Sequence, residues 1–77
     1  MSRQARIIEI VEKLAARPVP TDPEESLFES GVLDSFTLAD MVGALEKEFS
    51  LRIPESDLTS RKFDSIARIE SYIDSHS

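Results

Sequence analysis

The chain has no cysteine and no tryptophan, only two glycines, one histidine, and no apolar run long enough to cross a bilayer. Without cysteine there is no disulfide framework, no thiolate nucleophile and no thiolate metal site, and a cytoplasmic protein is the expectation. The start, Met1-Ser2-Arg3-Gln4, lacks the apolar stretch of a signal peptide, so a soluble protein without membrane insertion is expected. Gly31 and Gly43 are too few and too far apart for a glycine-rich phosphate loop. The single histidine, His76, lies on a polar tail, Asp74-Ser75-His76-Ser77, expected to fray. It supplies no positioned base for a Ser-His-Asp arrangement. Glu24-Glu25 and the Glu46/Glu48 pair have no second acidic set at metal-ligand spacing and read as solvated faces. The chain is therefore read as non-catalytic and metal-free.

Cations are also scarce, nine against fifteen acids, for a net charge of −6. That balance disfavours nucleic acid, whose binding rests on neutralising phosphates with Lys and Arg. It suits basic protein partners or simply maintains solubility. The 77 residues make a single domain, read as a monomer, with 40% apolar residues for one modest core.

What is present is helical periodicity separated by two loops. From Ser2 to Ala16, the residues Ile7, Ile8, Val11, Leu14 and Ala15 fall on one helical stripe. Ser2 can cap this helix and Arg17-Pro18 ends it, because a residue before proline is pushed out of the α region. The loop from Arg17 to Leu33 carries three prolines and a capped turn, Asp22-Pro23-Glu24-Glu25. Its apolar residues Leu27, Phe28, Val32 and Leu33 are expected to pin it to the core, as befits a long functional loop. A second long helix spans Ser35 to Glu48 with Asp34 as its cap, and its core stripe is Leu38, Met41, Val42, Leu45 and Phe49. After the connection Ser50 to Asp57, with Leu51 and Ile53-Pro54 as seats in the core, Thr59 caps a short turn through Arg61-Lys62-Phe63. A last helix starting at Asp64 carries Ile66, Ile69 and Ile73 on one stripe, with Tyr72 alongside. No strand alternation persists, and the prediction is an all-α four-helix bundle, three helices long and one short, with a long loop after the first.

Asp34-Ser35 is the most informative feature. Ser35 follows the anchored loop and opens a helix, where unpaired N–H groups and the positive end of the dipole favour an anion such as a phosphate. A serine so placed, on a chain with no chemistry of its own, reads as an attachment point. At 100° per residue from Leu38, Phe36 falls at about 160°, on the face away from the core stripe. Asp40, Gly43 and Lys47 share that outer face, and Phe36 is either part of a docking surface or tucked against the loop. Gly43 in mid-helix costs about 1 kcal/mol relative to Ala, which makes sense if something must approach closely. Phe63-Asp64-Ser65-Ile66 echoes Leu33-Asp34-Ser35-Phe36 but lacks the preceding loop and the outer apolar residue, so Ser35 is preferred over Ser65.

The stretch Leu27-Phe28-Glu29-Ser30-Gly31-Val32-Leu33-Asp34-Ser35-Phe36 resembles the acyl carrier protein family. Leu45-Glu46-Lys47-Glu48-Phe49, Ile53-Pro54, Phe63-Asp64-Ser65-Ile66 and Tyr72-Ile73 extend the resemblance over nearly the whole chain. The resemblance implies a four-helix bundle whose serine, here Ser35, receives 4'-phosphopantetheine from coenzyme A through a phosphopantetheinyl transferase. The arm's thiol then holds an acyl or aminoacyl group as a thioester and shuttles it between enzymes such as an adenylating ligase, an acyltransferase or a ketosynthase. It also implies that Asp40 and Glu46 meet basic partner surfaces, with Phe36 and Gly43 as apolar contacts. Phe36 stands in place of the leucine usual after the serine, and Thr37 and Lys47 stand at commonly acidic positions. These departures set the chain apart from housekeeping fatty-acid carriers. The leader Gly31-Val32-Leu33-Asp34-Ser35 lacks the Gly-Gly-(His/Asp)-Ser form common in peptidyl carriers and is more similar to that of stand-alone carriers of dedicated pathways, including those loaded by an adenylating ligase, as D-alanyl carriers are. The competing reading is an unmodified carrier-like module that binds a partner through the outer face of the 35–48 helix.

Overall fold

The first helix, α1, runs Arg3–Ala15, and Ser2 caps it by accepting a hydrogen bond from the Ala5 N–H. The second, α2, is Ser35–Phe49; a short α3 is Ser60–Phe63; and α4 is Ile66–His76. A 3-10 turn at Glu55–Asp57, not foreseen from the sequence, precedes α3. This computed structural model describes residues 2–76, so the expectations resting on Met1 and Ser77 lie outside the described residues. Among those residues there is no strand, and the expected four-helix bundle of three long helices and one short is what forms. α1 packs against both α2 and α4, and α3 packs on α4.

The core is one cluster in which Ile7, Val11, Met41, Leu45, Phe63, Ile69 and Ile73 have no exposed surface. The stripe on α2 is as expected, with Phe49 half-buried at its end. The stripe on α1 holds at Ile7 and Val11, with Ile8 and Ala15 half-buried against the core; Ile10 is buried in addition, and of the expected residues Leu14 alone is exposed. The physical reason lies across the interface, where Leu14 shares a groove with Ala44, a side chain too short to cover it.

Two helices end by the same device. At α1, Ala16 takes a left-handed conformation (φ 57°) and its N–H returns to the Glu12 carbonyl, while the Glu12 carboxylate accepts the Val19 N–H at 3.0 Å. At α2, Ser50 is left-handed (φ 53°) with its N–H on the Glu46 carbonyl, and the Glu46 carboxylate accepts the Ile53 N–H at 2.8 Å. One glutamate at each C-terminus thus both closes the helix and folds the outgoing chain back.

Polar contacts tie the helices at their rims. Arg6 pairs with Glu48 at 2.7 Å, joining α1 to α2, and Arg3 pairs with Asp74, joining α1 to α4. Near α3, the Tyr72 hydroxyl donates to Asp57 at 2.7 Å, and Lys62 donates to the other oxygen of the same carboxylate at 2.6 Å. Burial and the Asp57 hydrogen bond push the Tyr72 phenol up to about 12. The C-terminal segment expected to fray is instead helical through His76, whose ring stacks on Tyr72 at 4.0 Å. α4 begins at Ile66 rather than at Asp64, because Phe63 and Ile66 are both drawn into the core and the chain turns between them.

Candidate functional site

The loop that delivers the chain to α2 is built outward from Leu27. That residue is buried, and its N–H donates to the Asp64 carbonyl at 2.6 Å. Its own carbonyl accepts from both Val32 and Leu33 N–H groups, at 2.9 and 3.0 Å. The loop closes on itself there, with Val32 and Leu33 turned into the core as expected and Phe28 packed half-buried against it. A single turn at Asp22 sits upstream, its carbonyl accepting the Glu25 N–H and its side chain the Glu24 N–H. Ser26 donates to the Asp64 carboxylate at 2.6 Å, and the Pro23 carbonyl accepts the Ala67 N–H at 2.9 Å. The long loop is therefore bolted to the α3–α4 corner. Gly31 allows the last bend with φ +82°, and the Arg17 guanidinium donates to its carbonyl at 3.1 Å. An added Cβ at Gly31 would lie 3.2 Å from that guanidinium, the end of an exposed side chain that can give way, so it is the backbone conformation that calls for glycine.

The chain leaves Leu33 in extended conformation, and Asp34 (φ −136°, ψ −176°) caps α2. Its side chain accepts the Thr37 N–H at 2.8 Å, and its carbonyl accepts the Leu38 N–H at 2.8 Å. The Thr37 N–H, above all, holds the Asp34 carboxyl below its ordinary range, helped by the Thr37 side chain and the Phe36 N–H. Ser35 is consequently the first residue within the helix, exposed, with the aspartate already doing the capping. Its hydroxyl is accessible at the positive end of a 15-residue helix. A phosphodiester-linked group fits such a place: a primary alcohol in solvent, a rigid approach, and a cap whose charge is committed to backbone N–H groups.

Phe36 is 82% exposed beside it, so the tucked-in alternative for this ring does not hold. Asp40, Gly43 and Lys47 are exposed on the same helix, and a Cβ at Gly43 would meet nothing within 4 Å. Glu46 stands apart. It is half-buried, and one of its carboxylate oxygens is engaged by the Ile53 N–H, so the structure does not bring it together with Phe36, Asp40, Gly43 and Lys47.

The echo at Asp64-Ser65 resolves differently. Ser65 is 2% exposed, and its hydroxyl accepts the Arg68 N–H at 3.2 Å, so the serine itself caps α4. The residue leaves almost no surface for solvent. Sequence reasoning missed this role, although the signal was present: the periodic residue Ile66 follows Ser65 directly, as a helix follows its cap.

The family described as "Phosphopantetheine attachment site" matches residues 5–73, nearly the whole chain. The chain belongs to this family of phosphopantetheine carriers. The carrier is similar to the D-alanyl carrier protein of Streptococcus sanguinis, 39% identical over 57 residues that cover 74% of this chain and 72% of that one. It is also similar to that of Streptococcus gordonii, at 37% identity over the same shares of each chain. With the D-alanyl carrier protein of Streptococcus pyogenes serotype M1 the match is 29% identical and longer, 69 residues covering 90% of this chain and 87% of the relative. The carrier's cofactor is thus 4'-phosphopantetheine, held covalently on a serine, and its working partners are a phosphopantetheinyl transferase and the enzymes that load and unload the arm. No helix among the described residues is long and apolar enough to cross a membrane.

Proposed function

We propose that Ser35 is the serine that bears the phosphopantetheine arm, and that this single-domain, monomeric, cytoplasmic carrier holds an amino acid, D-alanine first among them. The observation that carries the assignment of Ser35 is its exposure at the first position of α2, directly after a loop pinned by Leu27, while Ser65 in the same dipeptide is sealed in as a cap. The bound arm supplies the thiol that a chain without cysteine cannot. Everything else is presentation by the protein. Asp34 fixes the helix start, Gly31 and Arg17 shape the approach, and Phe36 offers an apolar contact beside the hydroxyl.

The cargo assignment is supported by the names of the relatives and by the outer face of α2. That face carries Thr37 and Lys47 and, with Glu46 turned toward Ile53 and Glu48 paired with Arg6, Asp40 as its one exposed acid outside an ion pair. It suits an adenylating ligase that activates an amino acid better than an acyltransferase or ketosynthase built around a strongly acidic carrier. The reading as an unmodified interaction module has no support from the family match. The test is intact-mass spectrometry after incubation with coenzyme A and a broad-specificity transferase. A mass gain in the wild type and in Ser65→Ala, absent in Ser35→Ala, is expected; a gain that survives Ser35→Ala would sink the assignment. Charging of the modified protein with D-alanine and ATP by a D-alanine-activating ligase then tests the cargo.

A further inference from the structure

The outer face of α2 runs into a groove shared with α1. Ala44, Lys47 and Glu48 on one side meet Arg6, Ile10, Lys13 and Leu14 on the other around a cavity of about 550 Å³. Leu14 is 39% exposed on its rim, and with Phe36 it makes up the exposed large hydrophobics among the described residues. The charges in the groove are unevenly matched. Arg6 is neutralised by Glu9 and Glu48, whereas neither Lys13 nor Lys47 enters an ion pair among the described residues. On a chain of net charge −6, this groove is a local positive patch flanking an apolar strip. Ser35 and Lys47 lie about 18 Å apart along the helix axis, at 1.5 Å per residue, within the footprint of one ordinary protein interface.

We propose that the enzyme loading the arm docks across α2 onto α1, setting into this groove an acidic segment with an apolar side chain. The apolar side chain covers Leu14, Ile10 and Ala44, and its carboxylates meet Lys13 and Lys47. The inference rests on the carrier reading above and extends it, since it makes α1 part of the recognition surface. The chemistry of the occupant follows from the groove. Two ammonium groups without carboxylate partners repel a basic segment and select an acidic one, while Leu14 gains by losing contact with water.

The test uses the carrier after its modification has been verified by mass, loaded with D-alanine and ATP by a purified D-alanine-activating ligase. Lys13→Glu combined with Lys47→Glu is expected to raise the KM for the carrier about tenfold at nearly constant kcat, the signature of lost docking. Leu14→Ser raises it several-fold. The charge-matched control, Arg52→Glu with Arg61→Glu, leaves KM unchanged, and circular dichroism checks that every variant is folded. Unchanged KM in both groove variants overturns the proposal, as does an equal rise in the control, which marks a general charge effect. Sedimentation showing a wild-type dimer that Leu14→Ser dissociates also overturns it, the occupant then being a second copy. Failure at the mass measurement refutes the carrier reading instead. A modified carrier that the ligase does not charge refutes the D-alanine assignment and this partner with it.

Discussion

At Asp34-Ser35 the aspartate caps the helix, accepting the Thr37 N–H, and the serine is left in solvent as the first helical residue. At Asp64-Ser65 the serine caps the helix, accepting the Arg68 N–H while buried, and the aspartate before it is spent on Ser26 of the long loop. The same two residues, shifted by one position relative to the helix start, exchange roles. A dipeptide is therefore not a site. What makes a site is the register between the dipeptide and the first buried residues of the helix, and that register is set by Leu33 and Leu38 in one case and by Phe63 and Ile66 in the other. The two places are also joined mechanically, because the corner at Asp64 holds Leu27 and Ser26 and so holds the loop that presents Ser35.

The sharpest way to break the comparison is to remove each hydroxyl. Ser35→Ala is expected to abolish transferase-dependent mass gain completely and to leave the melting temperature almost unchanged, since Asp34 still caps α2. Ser65→Ala is expected to keep the modification but lose about 1 kcal/mol of stability, the ordinary cost of a lost cap, or roughly 4–8 °C in Tm for a domain of this size. Thermal denaturation with mass spectrometry on both variants decides it.

Removing the wedge beneath the corner has the next largest effect. Phe63 has no exposed surface and packs against the Tyr72 ring at a centroid distance of 5.0 Å. Phe63→Ala is expected to cost about 3–5 kcal/mol and to speed amide exchange at Leu27, Val32 and Leu33 along with α4. Urea unfolding and hydrogen exchange measure both, and protection of the loop that survives loosening of α4 would contradict the mechanical link.

Glu46 offers a smaller effect that separates folding from docking on α2. Glu46→Ala leaves the Ile53 N–H without its charged acceptor and is expected to cost about 1.5–3 kcal/mol at most, read by urea denaturation. Asp40→Ala, exposed on the same helix, is expected to change stability by no more than about 0.5 kcal/mol.

The smallest effect is in the response to acid. The Asp34 carboxyl titrates below its ordinary range in the folded protein, so its contribution is whole above that range and fades as pH falls through it. Asp34→Asn, which keeps a capping side chain without the charge, is expected to flatten part of the loss of stability between neutral and acid pH. Identical acid-unfolding profiles for the two proteins would show that the cap does not depend on ionisation.

The helices, their caps at Ser2, Asp34 and Thr59, and the inward Val32 and Leu33 were legible in the amino-acid order because each depends on neighbours within a turn or two. Helical spacing placed Phe36 opposite the core stripe but left open whether the preceding loop covered it, and only the folded chain leaves the ring exposed. The groove at Leu14 was not legible, because Leu14 belongs to the α1 stripe by spacing and only the short side chain of Ala44 across the interface leaves it open. The inward commitment of Glu46 escaped for the same reason: its partner, the Ile53 N–H, comes within reach only after the chain has reversed at Ser50.

By itself the amino-acid order determined which stretches become helices and that one serine opens the second of them, because caps and stripes are short-range physics. Sequence context already favoured Ser35 over Ser65, but the exchange of roles that buries Ser65 as a cap was decided only in the folded molecule. Burial is a property of how distant segments meet, and here the loop pinned where Leu27 meets Asp64 leads to a hydroxyl left in solvent while the α3–α4 corner closes over the other.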